Sequence, residues 1–231
     1  MANQTVVNFH TLPVEIVYRI LDQQSDLTMV CSMTNTLTTI NLGRNGIEAV
    51  GAENLADALQ HNKTLTELDL SDNEIEAVGA QHLANALQHN TTLTSLDIRW
   101  NKIGDVGAQH LADALQHNTT LTTLNLGRNG IEAVGAEHLA DALQHNTTLT
   151  SLNIRCNGIG DVGAQHLADA LQHNTVIVFL SPGQPIQRWI RSDLIGSDHP
   201  TESDRIPGDG FALDSVRKIS VTCCKSDERR F

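Results

Sequence analysis

The stretch from Thr64 to Thr91 decides the fold and reads T-L-T-E-L-D-L-S-D-N-E-I-E-A-V-G-A-Q-H-L-A-N-A-L-Q-H-N-T. Four further copies of this 28-residue unit adjoin it without a gap, so that five units occupy residues 36–175. A fixed period of this length is typical of a solenoid, in which each unit buries its apolar face against its neighbours. We therefore expect a fold built along one axis rather than around one compact core.

Each unit contains the sequence pattern of a strand followed by that of a helix. L-x-x-L-x-L predicts a short strand with one apolar face, and G-A-x-x-L-A-x-A-L repeats at helical spacing. Like elements then stack, with parallel strands inside and helices outside. Because packed helices lie about 10 Å apart and strands about 4.8 Å, the array must curve with its sheet on the concave face.

The motif L-x-x-L-x-L-x-x-N-x-I-x-x-x-G-A-x-x-L-A-x-A-L matches all five units, with Ile replacing one strand Leu in the first, third and fifth. It resembles the ribonuclease-inhibitor type of leucine-rich repeat, found in enzyme inhibitors, NOD-like receptors and Ran GTPase-activating proteins. This resemblance implies an α/β leucine-rich-repeat solenoid over residues 36–180, the five units plus one terminal strand. It also implies a non-enzymatic scaffold that binds a partner protein on its concave face, or alternatively a GTPase regulator like the Ran activators.

Charge and hydropathy narrow the class of partner. Residues 36–180 carry 16 acids and 6 bases, which disfavours nucleic acid and anionic membranes as partners. No apolar run approaches the roughly 18 residues of a membrane span, and the first residues lack a secretion signal. We therefore expect a cytoplasmic protein with reduced thiols. On this interpretation the repeated N-x-T sequons are structural rather than sites of glycosylation.

Variation between the units is concentrated at the third, fifth, seventh and eighth residues, counted from the first Leu of each unit. The first three positions face outward from the sheet, and the eighth forms its rim. The outer helix face hardly changes. The candidate partner-binding residues at the variable positions are Glu67, Asp69, Asp72, Asp97, Arg99, Trp100, Arg128 and Arg155.

Trp100 stands out among these candidates, because an exposed tryptophan beside arginine is typical of interface hot spots. The alternative is that Trp100 packs over the strand-to-helix turn, with Arg128 stacked on it. The carboxylates of Glu67, Asp69, Asp72 and Asp97 form either a pocket for a basic partner or a solvated acidic face.

The sequence offers no catalytic, cofactor-binding or metal-binding motif. Histidine pairs such as His82 and His89 lie two helical turns apart, about 10.5 Å, too far to share one ion. We interpret the repeated histidines as solvated residues of the outer face.

Residues 1–35 and 181–231 lie outside the repeats. The N-terminal part resembles the start of an F-box through Leu12, Pro13, Glu15, Ile16, Ile20, Leu21, Asp26, Leu27, Val30 and Cys31. This resemblance implies a ubiquitin-ligase substrate receptor, with residues 10–33 docking a Skp-type adaptor. The segment is shorter than an F-box, and a helical cap over the first unit is the alternative. Residues 181–231 show no period and predict an irregular, disordered tail.

Overall fold

The computed structural model describes residues 5–8, 37–172, 174, 177–180 and 219–221. They form an α/β solenoid in which every unit contributes one strand and one helix, as the repeat predicts. All strands lie in one parallel sheet, in the same order as in the chain. The elements of the five units are β2 (Leu37–Asn41), α1 (Ala49–His61), β3 (Glu67–Asp69), α2 (Glu76–His89), β4 (Ser95–Asp97), α3 (Gly104–Leu115), β5 (Thr123–Asn125), α4 (Ala133–His145), β6 (Ser151–Asn153) and α5 (Gly160–Leu171).

The core is a series of columns made by equivalent residues of successive units. Leu68 pairs in register with Ile40 on one side and with Leu96 on the other, and all three are buried. On the helices, the predicted apolar stripe is buried apart from the half-buried Ala58 and Ala168, and each helix packs on the next. Gly79 permits this close approach, since a Cβ there would lie 2.6 Å from Ile75 Cγ2 and 2.9 Å from Ala52 Cβ.

The sheet extends beyond the five units at both ends. β7 (Ile177–Leu180) is the terminal strand that the pattern predicts, and it pairs in parallel with β6. The repeat does not predict β1 (Thr5–Asn8), which pairs with β2, or β8 (Ile219–Val221), which pairs with β7. Both additions are short β-branched segments, and the exposed edge of a sheet readily pairs with such segments.

A first row of buried asparagines joins each unit to the next. Asn73 Oδ1 accepts hydrogen bonds from the backbone N–H groups of Asn45 and Ile47, both at 3.0 Å. Its Nδ2 donates to the carbonyl oxygens of Leu42 at 3.1 Å and Leu70 at 2.8 Å. One side chain thus satisfies backbone groups of two units where the chain turns away from the sheet.

A second row lies at the helix ends and contains the asparagines of the N-x-T sequons. Asn90 Nδ2 donates to the Leu59 carbonyl at 2.8 Å, and its Oδ1 accepts from the N–H groups of Thr92 and Leu93. The four sequon asparagines of the repeats, Asn62, Asn90, Asn118 and Asn146, are buried. These contacts support the structural interpretation of the sequons, since a buried amide nitrogen that donates to a carbonyl is not open to modification.

We expect Asn73→Ala to lower the free energy of unfolding by about 3 kcal/mol or more, because several buried backbone groups lose their partner at about 1–3 kcal/mol each. Urea unfolding followed by circular dichroism measures the loss. Gln81→Ala, at an exposed position of α2, is the control and should change stability by less than about 0.5 kcal/mol. Equal stabilities for the two variants would contradict the role given to Asn73.

Candidate functional site

The rim residues share one unusual backbone conformation. Arg44, Asp72, Trp100, Arg128 and Cys156 all have φ between 56° and 61°, the left-handed region. This conformation costs a residue with a side chain about 1–2 kcal/mol. Backbone hydrogen bonds between units hold it, for example from Trp100 N to the Gly127 carbonyl at 2.9 Å. With the same backbone geometry in every unit, the five side chains form one row along the rim.

Residues of four successive units surround a cleft of about 420 Å³ at this rim, here called the rim cleft. Arg44 Nε lies 3.0 Å from Asp72 Oδ2, and Lys102 Nζ lies 3.5 Å from Glu74 Oε1. The Arg128 guanidinium carbon stands 4.1 Å from the centroid of the Trp100 ring. The remaining lining residues are Gly46 and Asn73.

Trp100 and Arg128 form a stacked pair that stays open to solvent. The arginine lies on the ring, as the packing interpretation predicts, yet 43% of Trp100 remains exposed. Within the described part of the chain, Arg128 makes no ion pair. The pair therefore presents an aromatic surface together with a cation that pairs with no carboxylate among the described residues.

A second cluster lies on the sheet face, where Asp69 and Asp97 are neighbours in register on β3 and β4. Asp97 Oδ2 accepts a hydrogen bond from Asn125 Nδ2 at 2.9 Å and lies 3.6 Å from Arg99 Nε. Burial raises the pKa of the Asp97 carboxyl, and the nearby Asp69 charge adds to this rise, whereas Arg99 opposes it. This face suits a basic group, which would offset the two neighbouring charges.

The predicted site residues thus fall into two groups rather than one. Glu67, Asp69, Asp97 and Arg99 lie on the sheet face, whereas Asp72 lies in the rim cleft, paired with Arg44. The seventh position is not uniformly exposed: Ser71 is buried, while Arg99 is open to solvent.

Arg155 occupies the seventh position of the fifth unit and is equivalent to Arg99 of the third. It is partly buried, and its carbonyl accepts the Arg128 N–H.

The sequence did not single out the three other charged residues that line the rim cleft. Arg44, Glu74 and Lys102 complete it but were not among the candidates. The signal for two of them was variation at the tenth position of the unit, where Gly46, Glu74, Lys102, Gly130 and Gly158 are equivalent. Three of the five units have glycine at the tenth position, which is typical of a turn. The sequence therefore did not indicate that Glu74 and Lys102 line the cleft.

The structure also bears on the predictions about metal sites, membrane spans, thiols and the N-terminal segment. In the described ranges, no group of three or more His, Cys, Asp or Glu side chains is arranged to hold a metal ion, and no helix is long and apolar enough to cross a membrane. Cys156 is disulfide-bonded, so the prediction of reduced thiols is wrong for this residue. Of residues 1–35, where a helical cap is predicted, the structure describes Thr5–Asn8, which form a strand. The F-box-like residues 10–33 lie outside the described residues, and of the predicted tail, residues 181–231, only Ile219–Val221 are described.

Comparison with known proteins identifies the repeats. The family described as "TMOD/LMOD Leucine-rich domain" matches residues 74–182, and the family "Leucine Rich repeat" matches residues 35–56 and 61–84. None of the curated proteins matches the chain significantly. The ribonuclease-inhibitor subtype, the F-box and the likeness to Ran activators stay predictions.

Solved structures share the architecture. Leiomodin-1 actin-binding site 2 is 24% identical with a TM-score of 0.57, and the match covers 72% of this chain and 93% of that one. The tropomodulin C-terminal domain from Caenorhabditis elegans is 13% identical with a TM-score of 0.49, over 62% of this chain and 84% of that one. At 24% identity the likeness to the leiomodin-1 domain concerns the fold alone.

We expect Asp97→Asn to stabilise the protein at neutral pH. The folded state raises the pKa of Asp97 above its ordinary value of 3.8, so the ionised carboxylate opposes folding above the folded pKa. The advantage of the variant should shrink as the pH falls through the folded pKa, and should vanish below the unfolded value, where both side chains are neutral. Urea midpoints at several pH values measure this difference. An advantage that stays constant or grows toward acid pH would contradict the burial effect.

Proposed function

We propose that this leucine-rich repeat protein is a non-enzymatic scaffold that holds a partner protein at the rim cleft. The observation that carries the proposal is the stacked pair of Trp100 and Arg128. Apart from five valines, Trp100 is the one large apolar side chain exposed in the described part of the chain. Tryptophan and arginine supply a large share of binding energy at protein interfaces when a partner covers them.

The chemistry of the rim cleft favours an acidic group beside an apolar one on the partner. The ion pairs Arg44–Asp72 and Lys102–Glu74 are already satisfied, so they add little net charge to the cleft. Arg128 keeps its guanidinium edge available above the Trp100 ring. A partner carboxylate would meet this edge, and an adjacent apolar side chain would cover the open part of the indole.

The proposed binding surface also includes the sheet face, which is acidic and would bind a basic group of the partner. Asp69 and Asp97 stand side by side and partly buried on neighbouring strands, with Glu67 on the same face. A lysine or arginine of the partner would relieve their mutual repulsion. The proposed partner therefore combines a basic patch against the sheet with an acidic group at the rim, an arrangement that fixes its orientation.

Actin is the second, more specific proposal. The TMOD/LMOD match spans residues 74–182, which include both Trp100 and Arg128. The leiomodin-1 domain of similar fold is an actin-binding site. These two likenesses make actin the first partner to test, and no comparable observation favours a GTPase or an adaptor of a ubiquitin ligase.

We expect Trp100→Ala to weaken partner binding by about 10- to 100-fold and Arg128→Ala by about 10-fold, with melting temperatures nearly unchanged, since both side chains are solvent-accessible. Fluorescence anisotropy with labelled monomeric actin measures this. The control is Gln88→Ala, on the exposed face of α2, which should bind as the parent does.

The two proposals fail separately. If the parent chain does not bind actin, the actin proposal is wrong, and the rim proposal is then tested on proteins captured by the parent. Capture that survives both rim substitutions would show that the rim cleft is not the binding surface.

A further inference from the structure

The outer face of the helices carries a row of exposed valines. Each helix places one valine in its first turns, and their exposed fractions range from 55% to 64%. The members are Val50, Val78, Val106, Val134 and Val162. Among large apolar residues of the described segments only Trp100 is similarly exposed.

The valines do not contribute to the core. In α3, the buried residues Gly107, Ala108, Leu111 and Ala112 define the inner side, and Val106 lies on the opposite side at about 100° per residue. Its neighbours on the outer side are polar, such as Gln109, His110 and Asp113. Single exposed valines are ordinary, but five at one register form a regularly spaced apolar line on a polar surface.

An acidic residue precedes each valine by one or two positions. These acids are Glu48, Glu76, Asp105, Glu132 and Asp161. Four of these acids are exposed, and Asp105 is half-buried and accepts the N–H groups of Glu132 and Gly135. The apolar line is therefore bordered by acidic side chains in every unit. A ligand that fits both lines is apolar along one edge and basic along the adjacent edge.

We propose that the valine row is a second docking surface, which binds a basic amphipathic helix of a partner laid across the repeat helices. Neighbouring helix axes lie about 8–10 Å apart, and the outward direction of the valines widens the spacing at their tips. Residues seven apart on an α-helix lie about 10.5 Å apart along its axis. A helix with an apolar residue at every seventh position thus matches the row over the three central units.

Charge favours a basic helix over two other possible occupants of the valine row, a second copy of the chain and an anionic membrane. A second copy of the chain would bring its own acidic line and a net charge of −12 against the row. An anionic membrane would be repelled in the same way. A lysine- or arginine-bearing helix alone among the three meets attraction from both lines. The proposal is independent of the rim cleft, because no lining residue of that cleft belongs to the valine row.

The test uses a synthetic helical peptide about three heptads long, with leucine at the heptad seam, lysine on one flank and alanine elsewhere. The full chain should bind this peptide, while a scrambled peptide of equal composition should bind at least about 10-fold more weakly. Replacing Val78, Val106 and Val134 together by serine should cost about 10-fold or more in affinity, since three apolar contacts are lost. The matched control, Gln81→Ser with Gln109→Ser, alters two exposed residues of the adjacent row and should leave affinity unchanged.

Several results would overturn the proposal. Equal binding of the ordered and scrambled peptides would reduce the attraction to charge alone. Unchanged binding by the triple valine variant would place the peptide elsewhere. Self-association of the parent in sedimentation, abolished by the same variant, would assign the row to a second copy, and binding to neutral phosphatidylcholine vesicles lost with the valines would assign it to a membrane. Unfolding curves of the triple variant should match the parent, which separates loss of binding from loss of structure.

Discussion

Everything in this molecule depends on asparagine amides that complete the backbone of a neighbouring unit. Four of the five repeat strands are three residues long, so the sheet alone satisfies few backbone groups. The Asn73 side chain closes the turn after its strand, and the Asn90 side chain closes the end of its helix. A buried polar group without a partner is costly, so a unit is complete only beside another unit. Cohesion between units and folding of each unit are therefore the same interaction.

Because of this arrangement, the rim side chains are not needed to hold the backbone turn at the rim. The rim backbone is held by its own N–H and by the asparagine row, so an arginine, an aspartate, a tryptophan and a cysteine occupy equivalent positions. Asp105 is the instructive exception among the variable residues. Its Oδ1 accepts the N–H groups of Glu132 at 2.7 Å and Gly135 at 2.9 Å, which caps the helix of the following unit. Variation in this array thus includes both binding chemistry and an occasional cap.

The sequence predicts the fold well because the period repeats every physical constraint five times. Once the five units are aligned, Leu68 is predicted as a core residue of the strand and Asn73 as a hydrogen-bonding residue of the turn. The left-handed backbone of the rim could not be predicted, because a tryptophan such as Trp100 does not indicate a positive φ, whereas a glycine does. Contacts between units were hidden as well, and the pairing of Arg44 with Asp72 depends on side-chain geometry. The edge strands Thr5–Asn8 and Ile219–Val221 lie outside the period and had no pattern to reveal them.

A periodic surface does not define a single position for a partner, because a partner shifted by one unit meets equivalent residues. The valine row is the same in all five units, so alone it would allow a bound helix to slide by one unit at little cost. The third unit removes this degeneracy. It differs from the fifth only at Asp97, Trp100 and Lys102, which in the fifth are Asn153, Cys156 and Gly158. All three differences lie on the sheet face or in the rim cleft. Since the structure places the chain's distinctive chemistry at one point along the array, the rim can define the position of a partner and the repeated outer face can add affinity.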